Sequence, residues 1–571
     1  MHTPATATGA LRKSSSRKSR EPVKALDQLF KALRSRQKGL SAADQLALAG
    51  AASLAANSLL PDSLEDTPLA GFIVELCHLL RAATRPAIRP DKTEYGAAAS
   101  AWLRRQARSE KLLAISASEY SWLAELFANS SDSIDFSDPM TTGWSQQCLS
   151  QPAREKEGKE HRARPTVDDI ASLTQWFTPL WISEFLCHEA LCPAIADQAN
   201  IAPIPVTILD PACGAGHLLV AAVDALLVGQ PESPEEFFAE LYGKRLFGLD
   251  IDSLLLDLTA FALYLKARQH LPVCELPRPH LYSVTARVAP LKEAADGIGS
   301  LHLAAACPRE QLQATAIDGR VRPLGECLPA EFDAIVANPP YLSHRLIPHQ
   351  VSAFIKRHYH GAHYDLYAAF LQMSLALLSE RGRLAMICQQ SVLSIQRYER
   401  LRKLIFQRCR LDSVVQLGAG SFLARAGEKV NNAIICLSRE GAGREAPTRV
   451  WRILDRRSKE EASLKGISAM PSRSLAPQLS RTLVEEIDGA PLALWAPQAI
   501  LDLFKRLPAM ESAATGIKLT NGLFTCNNKK FVKACWQVAD HEEARYVPYD
   551  KGGGDKWFSL TPYRLDWNGG G

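Results

Sequence analysis

The spacing of hydrophobic residues divides the chain into stretches of different secondary structure. In residues 41–149, apolar side chains recur at i, i+3 and i+4, which predicts a helical domain. In residues 166–445, short apolar runs alternate with helical patterns, which predicts an α/β domain with a mostly parallel sheet. After about residue 445 the regular alternation ends. The clearest predicted helices are Ala42–Leu60, Leu69–Ala83 and Tyr95–Ala107, and the clearest strands are Val206–Leu209, Leu246–Leu249, Ala334–Ala337, Arg383–Cys388, Ser413–Leu417 and Asn432–Leu437.

Charged residues mark the segments outside these two domains. Residues 1–40 carry ten Lys or Arg against Glu21 and Asp27, a local charge of +8, so the rest of the chain sums to −3 within a total of +5. We predict that this basic tail is disordered, and auxiliary contact with DNA is the open alternative. Residues 150–165 are charged and poor in apolar side chains, which is typical of a linker.

The last 51 residues, 521–571, combine nine aromatic residues with seven Lys or Arg. Interleaved rings and cations suit a surface that meets bases and phosphates. The alternative is that the rings form the core of a small β-rich unit.

The thirteen cysteines are scattered and include no Cys-x-x-Cys pair, which favours reduced thiols in a cytoplasm over disulfides or a zinc ribbon. The basic N-terminus leads into no apolar signal segment, and Leu46–Leu60 is too short to span a bilayer. The histidines at 349–363 lack the spacing of metal ligands. We therefore expect a soluble cytoplasmic protein with no membrane contact and no metal.

The sequence Asn338-Pro339-Pro340-Tyr341 follows the apolar run Phe332–Ala337 directly. It places an amide acceptor, two prolines with fixed φ and an aromatic ring just past a buried strand. Such a set can hold a planar amine for alkylation. An isolated copy of this tetrapeptide would more often be a plain turn.

A glycine-rich segment, Asp210-Pro211-Ala212-Cys213-Gly214-Ala215-Gly216, follows the predicted strand Val206–Leu209 and precedes a helix. We call it the glycine loop. Turns of this kind bind nucleotides beyond the carboxyl ends of parallel strands. Asp250 ends the next strand, where a carboxylate can accept hydrogen bonds from ribose hydroxyls. Without the glycine loop, Asp250 would read as a helix N-cap.

Taken in order, these motifs resemble those of S-adenosylmethionine-dependent adenine-N6 DNA methyltransferases. Thr174–Pro179 resembles the family's cofactor-carboxylate motif, and its position ahead of the glycine loop is that of the gamma class. Tyr364–Tyr367 and Gly420–Phe422 follow in the expected order. The resemblance covers about 170–440 and implies a class I, Rossmann-like methyltransferase fold. A looser likeness of 522–557 to type IIG restriction and BREX-like phage-defence methyltransferases implies that 446–571 begins a target-recognition domain, which stops short of the usual length.

The resemblance also implies roles for individual residues. It assigns catalysis to Asn338, Pro339, Pro340 and Tyr341, with the Asn338 oxygen and the Pro339 carbonyl accepting the N–H bonds of a flipped adenine. Tyr341 and Phe422 would stack on that base. The implied cofactor is S-adenosyl-L-methionine, and the implied partners are double-stranded DNA and other restriction or phage-defence proteins. The implied cofactor contacts are Thr178, Asp210, Pro211, Ala212, Gly214, Gly216, Asp250 and Ile251.

Other activities stay open as alternatives. Asn-Pro-Pro-Tyr also occurs in methyltransferases that act on a protein glutamine amide, RNA is a further possible substrate, and a non-catalytic DNA-binding subunit would keep the fold without the reaction. A nuclease centre is not expected, because Pro61-Asp62 and Pro90-Asp91 lie in surroundings that we predict to be helical, and Glu157-Gly158-Lys159 lies in the predicted linker. Cys213 lacks the Pro-Cys context of a cytosine methyltransferase. Asp318 is a weak candidate for the acid at the cofactor adenine.

Overall fold

The chain separates into two compact units, residues 1–496 and 497–571. The computed structural model of the protein describes residues 22–36, 41–57, 59–61, 73, 89–91, 93, 117–131, 133–160, 165–167, 169–198, 206–228, 233–271, 273–286, 298–304, 312–422, 430–439, 447–475, 487–494, 496–508, 510–518, 525, 527–539, 542, 544–550 and 562–567.

The first unit begins with helices. They are α1 (Pro22–Arg36), α2 (Ala42–Ala56), α3 (Ala117–Ser130) and α4 (Thr141–Glu160), with a short parallel pair β1 (Leu59–Pro61) and β2 (Arg89–Asp91). Ser41 starts α2 with a capping box, in which its side chain accepts from the Asp44 amide at 3.1 Å and Asp44 accepts from the Ser41 amide at 2.8 Å. The predicted helix Ala42–Leu60 is therefore confirmed as far as Ala56. The prediction of helical surroundings for Pro61 and Pro90-Asp91 is wrong, because these residues lie in the paired strands β1 and β2. The predicted helices Leu69–Ala83 (apart from Ile73) and Tyr95–Ala107 lie outside the described residues.

The prediction of a disordered tail over 1–40 is wrong for residues 22–36. Helix α1 buries Leu26, Leu29, Phe30 and Leu33, the i, i+3, i+4, i+7 positions of one face. The side chains of Lys24, Lys31 and Arg34 are exposed. The count of basic residues hid this amphipathic pattern. Residues 1–21 lie outside the described residues.

The predicted linker, 150–165, is helical as far as Glu160 because α4 continues through it. Ala, Arg, Glu and Lys all have good helix propensity, so a charged composition by itself does not end a helix.

The second part of the first unit is an eleven-stranded sheet covered by helices. Its strands are β3 (Ile208–Asp210), β4 (Leu246–Leu249), β5 (His280–Ala286), β6 (Leu312–Ala316), β7 (Val321–Pro323), β8 (Phe332–Ala337), β9 (Leu378–Gln389), β10 (Cys409–Gly418), β11 (Asn432–Arg439), β12 (Thr448–Arg452) and β13 (Ser472–Leu475). Its helices are α5 (Asp169–Thr174), α6 (Leu180–Gln198), α7 (His217–Leu227), α8 (Pro234–Glu240), α9 (Ser253–His270), α10 (Leu324–Cys327), α11 (His349–His358), α12 (Leu366–Leu377), α13 (Glu399–Arg408) and α14 (Arg456–Lys465).

The strand order is β13-β12-β10-β11-β9-β8-β3-β4-β5-β6-β7. Following the pairings along this order, β6, β11 and β13 run opposite to the other strands, so the sheet is mostly parallel as predicted. The central seven strands, β5-β4-β3-β8-β9-β11-β10, have the order of a class I methyltransferase fold, with one reversed strand inserted near the edge. All six predicted strands are present. The predicted fold class is confirmed.

The sheet extends past residue 445, where we expected the catalytic domain to end. β12 pairs in parallel with β10, and β13 pairs with β12. Further on, the buried guanidinium of Arg402 donates to the carbonyls of Gly489 (2.5 Å) and Ala490 (2.7 Å), and so fixes 487–494 to this unit. The unit therefore reaches residue 496. Apolar residues in 446–496 are irregularly spaced, so no sequence pattern indicated these edge strands or the hydrogen bonds from Arg402.

The second unit contains α15 (Gln498–Arg506), α16 (Asn528–Phe531) and an antiparallel sheet in the order β14-β16-β15. The strands are β14 (Val532–Ala534), β15 (Tyr546–Tyr549) and β16 (Tyr563–Asp566). Tyr546 is buried, and Lys533 lies over its ring, whereas Trp536 is 77% exposed. The aromatic residues of this region therefore divide between core and surface. Within the described parts of both units, no helix has the length and apolar character needed to cross a membrane.

Candidate active site

Three motif residues stand at the carboxyl ends of three adjacent strands. Asp210 ends β3, Asp250 follows β4 and Asn338 follows β8, and β3 pairs with β4 on one side and with β8 on the other. The chain order reverses between β3 and β8. Open α/β sheets bind ligands at such a switch point, outside the carboxyl ends of the strands.

The glycine loop needs its two glycines. Gly214 and Gly216 have φ of +54° and +86°, a region that residues with a Cβ rarely adopt. A Cβ on Gly216 would lie 3.0 Å from Cγ2 of Thr259. The Thr259 hydroxyl donates to the Gly214 carbonyl at 2.7 Å, so helix α9 holds the loop from behind. Gly216 is therefore required for the close packing of the loop against α9.

Two carboxylates, the buried Asp210 and the half-buried Asp250, organise the same loop. Asp250 accepts from the amide of Gly214 (2.9 Å) and from the amide of Asp252 (2.9 Å). Asp210 accepts from the amide of Ala212 at 3.1 Å and is 1% exposed. Burial raises the pKa of Asp210 to about 8 and that of Asp250 to about 6, and backbone hydrogen bonds only partly offset this. Asp250 lines the pocket, whereas Asp210 does not.

Helix α4 of the N-terminal region forms a wall beside the glycine loop. The Gln147 side chain accepts from the buried amide of Phe177 at 3.0 Å. Phe177 stacks on His217 with ring centroids 4.9 Å apart, and Trp144 meets the His217 ring edge-on at 4.5 Å. Burial lowers the pKa of His217 to about 3, so this histidine is neutral. The sequence of this helix contains no recognisable motif, and its periodicity gives no signal for these contacts.

The Asn338 side chain has a defined orientation. Its amide nitrogen donates to the Trp176 carbonyl at 2.7 Å and to the Thr178 hydroxyl at 3.0 Å. Because a backbone carbonyl can only accept, the amide must present its NH₂ group there. The Asn338 oxygen is thereby turned to accept from another donor. The motif Thr174–Pro179 thus fixes the amide of the Asn-Pro-Pro-Tyr motif across more than 150 residues of sequence.

One pocket joins the glycine loop to the Asn-Pro-Pro-Tyr motif. Of the predicted site residues, it is lined by Pro211, Ala212, Gly214, Asp250, Ile251, Asn338 and Pro340. Apolar side chains of Ile298, Leu301, Leu366 and Phe370 complete it, together with Ser300, whose hydroxyl donates to the Pro211 carbonyl at 2.7 Å. A glycine turn, a carboxylate and an apolar wall fit a nucleoside-containing cofactor. The other predicted site residues do not line this pocket; they are Thr178, Asp210, Gly216, Pro339, Tyr341 and Phe422.

The two predicted stacking rings lie close together but do not form a parallel pair. The Tyr341 and Phe422 centroids are 6.4 Å apart with an angle of 75° between the rings, and Tyr341 also meets Tyr367 edge-on at 5.8 Å. The Tyr341 hydroxyl is buried without a hydrogen-bond partner among the described residues, and burial raises its pKa well above the ordinary value. A base could lie between Tyr341 and Phe422 only after one ring turns.

Asp365 positions the segment that follows the Asn-Pro-Pro-Tyr motif. Its carboxylate accepts from the Leu342 amide at 2.9 Å, and residues 343 and 365 form a β-bridge. Burial raises the pKa of Asp365 to about 7. The sequence placed Asp365 in an ordered motif without assigning it a role. Asp318, the weak candidate for the adenine acid, pairs with Arg278 and Arg320 and does not line the pocket, so that assignment is wrong.

The strand order, with a pocket at the switch point of the sheet, is that of the class I methyltransferase fold. Residues 244–422 match the family model described as Eco57I restriction-modification methylase, so this part of the chain is similar to that family. The match includes Asp250 and Asn338–Tyr341 and begins after the glycine loop.

Two curated proteins match most of this chain at low sequence identity. The chain is 23% identical over 509 residues to the adenine-specific methyltransferase BrxX of Escherichia coli O9:H4 (strain HS), covering 71% of this chain and 42% of that protein. It is 25% identical over 527 residues to the adenine-specific methyltransferase PglX of Lacticaseibacillus casei (strain Zhang), covering 74% and 43%. A modification subunit of a putative type I restriction enzyme from Vibrio vulnificus YJ016 superposes with a TM-score of 0.45 at 13% identity, covering 82% and 95%. This chain spans less than half the length of BrxX and PglX.

Proposed function

We propose that this chain transfers a methyl group from S-adenosyl-L-methionine to the N6 amine of adenine in double-stranded DNA. The observation that carries the proposal is the amide of Asn338, whose oxygen is oriented in the same pocket as Gly214 and Asp250. The names of BrxX and PglX, both adenine-specific methyltransferases, support the choice of adenine.

The chemistry requires alignment more than acid or base strength. The lone pair of an exocyclic adenine amine is delocalised into the ring, which makes the nitrogen a poor nucleophile. If the Asn338 oxygen and the Pro339 carbonyl accept its two N–H bonds, the nitrogen can become pyramidal. Positive charge that develops there is then stabilised by fixed dipoles, which need no reorganisation during the reaction. S-adenosylmethionine supplies an already activated methyl on its sulfonium when it is bound.

The remaining site residues would hold the cofactor and the base. Asp250 and the glycine loop suit the ribose and the amino acid part of the cofactor, while Ile251, Ile298 and Leu301 form an apolar wall for its adenine. Tyr341, with Phe422 after rotation of one ring, would stack on the flipped base, because a base inside a duplex cannot reach the pocket. The family description supports a role in restriction-modification. We propose phage defence as a further setting, in which other proteins act as partners of the chain.

The test is methylation-sensitive sequencing of a host without adenine methylation that expresses the chain. A modified adenine motif should be present with the wild-type chain and absent with Asn338→Ala. Asn431→Ala removes an exposed asparagine side chain and should keep the motif. A motif that persists in Asn338→Ala, or no methylation by the wild type while the purified chain binds the cofactor, would reject the proposal in favour of a non-catalytic subunit.

A further inference from the structure

A second pocket lies just after the Asn-Pro-Pro-Tyr motif. Its lining consists of His344, Arg345, His349, Ser352, Ala353 and Lys356, and we call it the basic pocket. No carboxylate among the described residues lines it. It is formed by a turn over 343–347 and by one face of α11, whereas Val351 and Ile355 of the same helix are buried.

The charge of the basic pocket is not neutralised within the described part of the chain. Arg345 and Lys356 are exposed, and neither pairs with a carboxylate among the described residues. The positive charge also affects His363, which lies nearby. Burial lowers the pKa of His363, and the electrostatic effect of Lys356, His344, His360 and Arg400 lowers it further. A surface of this kind attracts polyanions.

The structure fixes this charge close to the reacting end of the sheet. The amide of His344 donates to the Tyr364 carbonyl at 2.9 Å, and the amide of Leu342 donates to Asp365 at 2.9 Å. Arg345 follows Tyr341 by four residues, so their Cα atoms are at most about 15 Å apart. That distance corresponds to only about four nucleotides of one DNA strand at ~3.4 Å each.

We propose that the basic pocket binds the phosphodiester backbone of the strand that carries the target adenine, next to the extruded nucleotide. This rests on the function proposed above and adds a contact that helps keep the backbone in place while the base is out of the duplex. Arg345 and Lys356 are the two principal phosphate ligands. Contacts of this kind position the DNA and carry no sequence information.

The test is the salt dependence of the affinity of the full chain for a short mixed-sequence duplex. Each phosphate contact contributes about 0.9 to the slope of log affinity against log salt. Arg345→Gln/Lys356→Gln should therefore lower the slope by about 2, so that the wild type loses about tenfold more affinity than the variant between about 50 and 200 mM salt. As a matched control, Arg456→Gln/Lys465→Gln removes two cations that already pair with Glu460 and Glu461, and should leave the slope unchanged.

Two further measurements separate the possible failures. The affinity for S-adenosylmethionine should be the same in the wild type and in Arg345→Gln/Lys356→Gln, because neither side chain lines the cofactor pocket. The exchange Arg345→Lys/Lys356→Arg keeps both charges and should keep the slope. If the wild type is active and Arg345→Gln/Lys356→Gln leaves the salt slope unchanged, the proposed phosphate contact at the basic pocket is rejected. It is also rejected if the control Arg456→Gln/Lys465→Gln lowers the slope by the same amount. Absence of methyl transfer by the wild type would reject the proposed function instead.

Discussion

Replacement of Gly216 by alanine tests whether the glycine loop is held as described. Two penalties combine at this position. The φ of +86° is unfavourable for any residue with a Cβ, at a cost of about 1–2 kcal/mol. The new Cβ would also lie 3.0 Å from Cγ2 and 3.1 Å from Oγ1 of Thr259, and overpacking of this kind costs about 1–3 kcal/mol.

Replacement of Gly319 serves as a control that separates the backbone cost from the cost of the steric clash. Gly319 has a similar φ of +81°, but a Cβ added there would meet no atom of the described residues within 4 Å, so Gly319→Ala should show the backbone cost alone. Gly216→Ala should therefore destabilise the first unit by about 1–3 kcal/mol more than Gly319→Ala does. It should also weaken cofactor binding by up to about tenfold, because movement of Thr259 releases its hydrogen bond to Gly214.

The assay combines chemical denaturation with calorimetric titration of S-adenosylmethionine. In Gly216→Ala/Thr259→Ser, the methyl group at 3.0 Å is absent, whereas the contacts of the new Cβ with Oγ1 at 3.1 Å and with the backbone Cα at 3.2 Å remain. Part of the extra loss should therefore be recovered. If Gly216→Ala costs no more than Gly319→Ala, or if Thr259→Ser recovers nothing, then α9 does not support the loop in the way described.

Two further predictions concern the walls of the pocket. The pKa of Asp250 is raised to about 6, chiefly by burial, so its carboxylate is protonated below that pH and ionised above it. The affinity for S-adenosylmethionine should therefore rise from about pH 5 to pH 7, by at most about tenfold per pH unit; calorimetric titrations should show this rise in Asp318→Asn and not in Asp250→Asn. Gln147→Ala leaves the buried Phe177 amide without its acceptor, which should cost about 1–3 kcal/mol in denaturation and weaken cofactor binding. The neighbouring change Gln146→Ala, at a half-buried position, should cost less than about 0.5 kcal/mol, and equal effects of the two changes would exclude the proposed wall.

The second half of the first unit was well predicted because its signals are local. Each central strand is a short apolar run, and the residue type changes sharply where the strand ends, as at Asp210, Asp250 and Asn338. The residues after parallel strands meet at one edge of the sheet, so ordered motifs were sufficient to place these side chains together. Edge strands after residue 445 lacked this alternation, and no sequence pattern indicated that Arg402 binds the segment 487–494.

The sequence alone determined the class of fold, the strand-end positions of the candidate site and the order of the motifs, because all three depend on periodicity and on neighbouring residues. Only the tertiary structure decided how the Asn338 amide is turned, since its partners Trp176 and Thr178 are 162 and 160 residues away. The same holds for Gln147, which supports Phe177 from a helix with no recognisable motif. Such contacts depend on packing between distant segments, and no local pattern of residues encodes them.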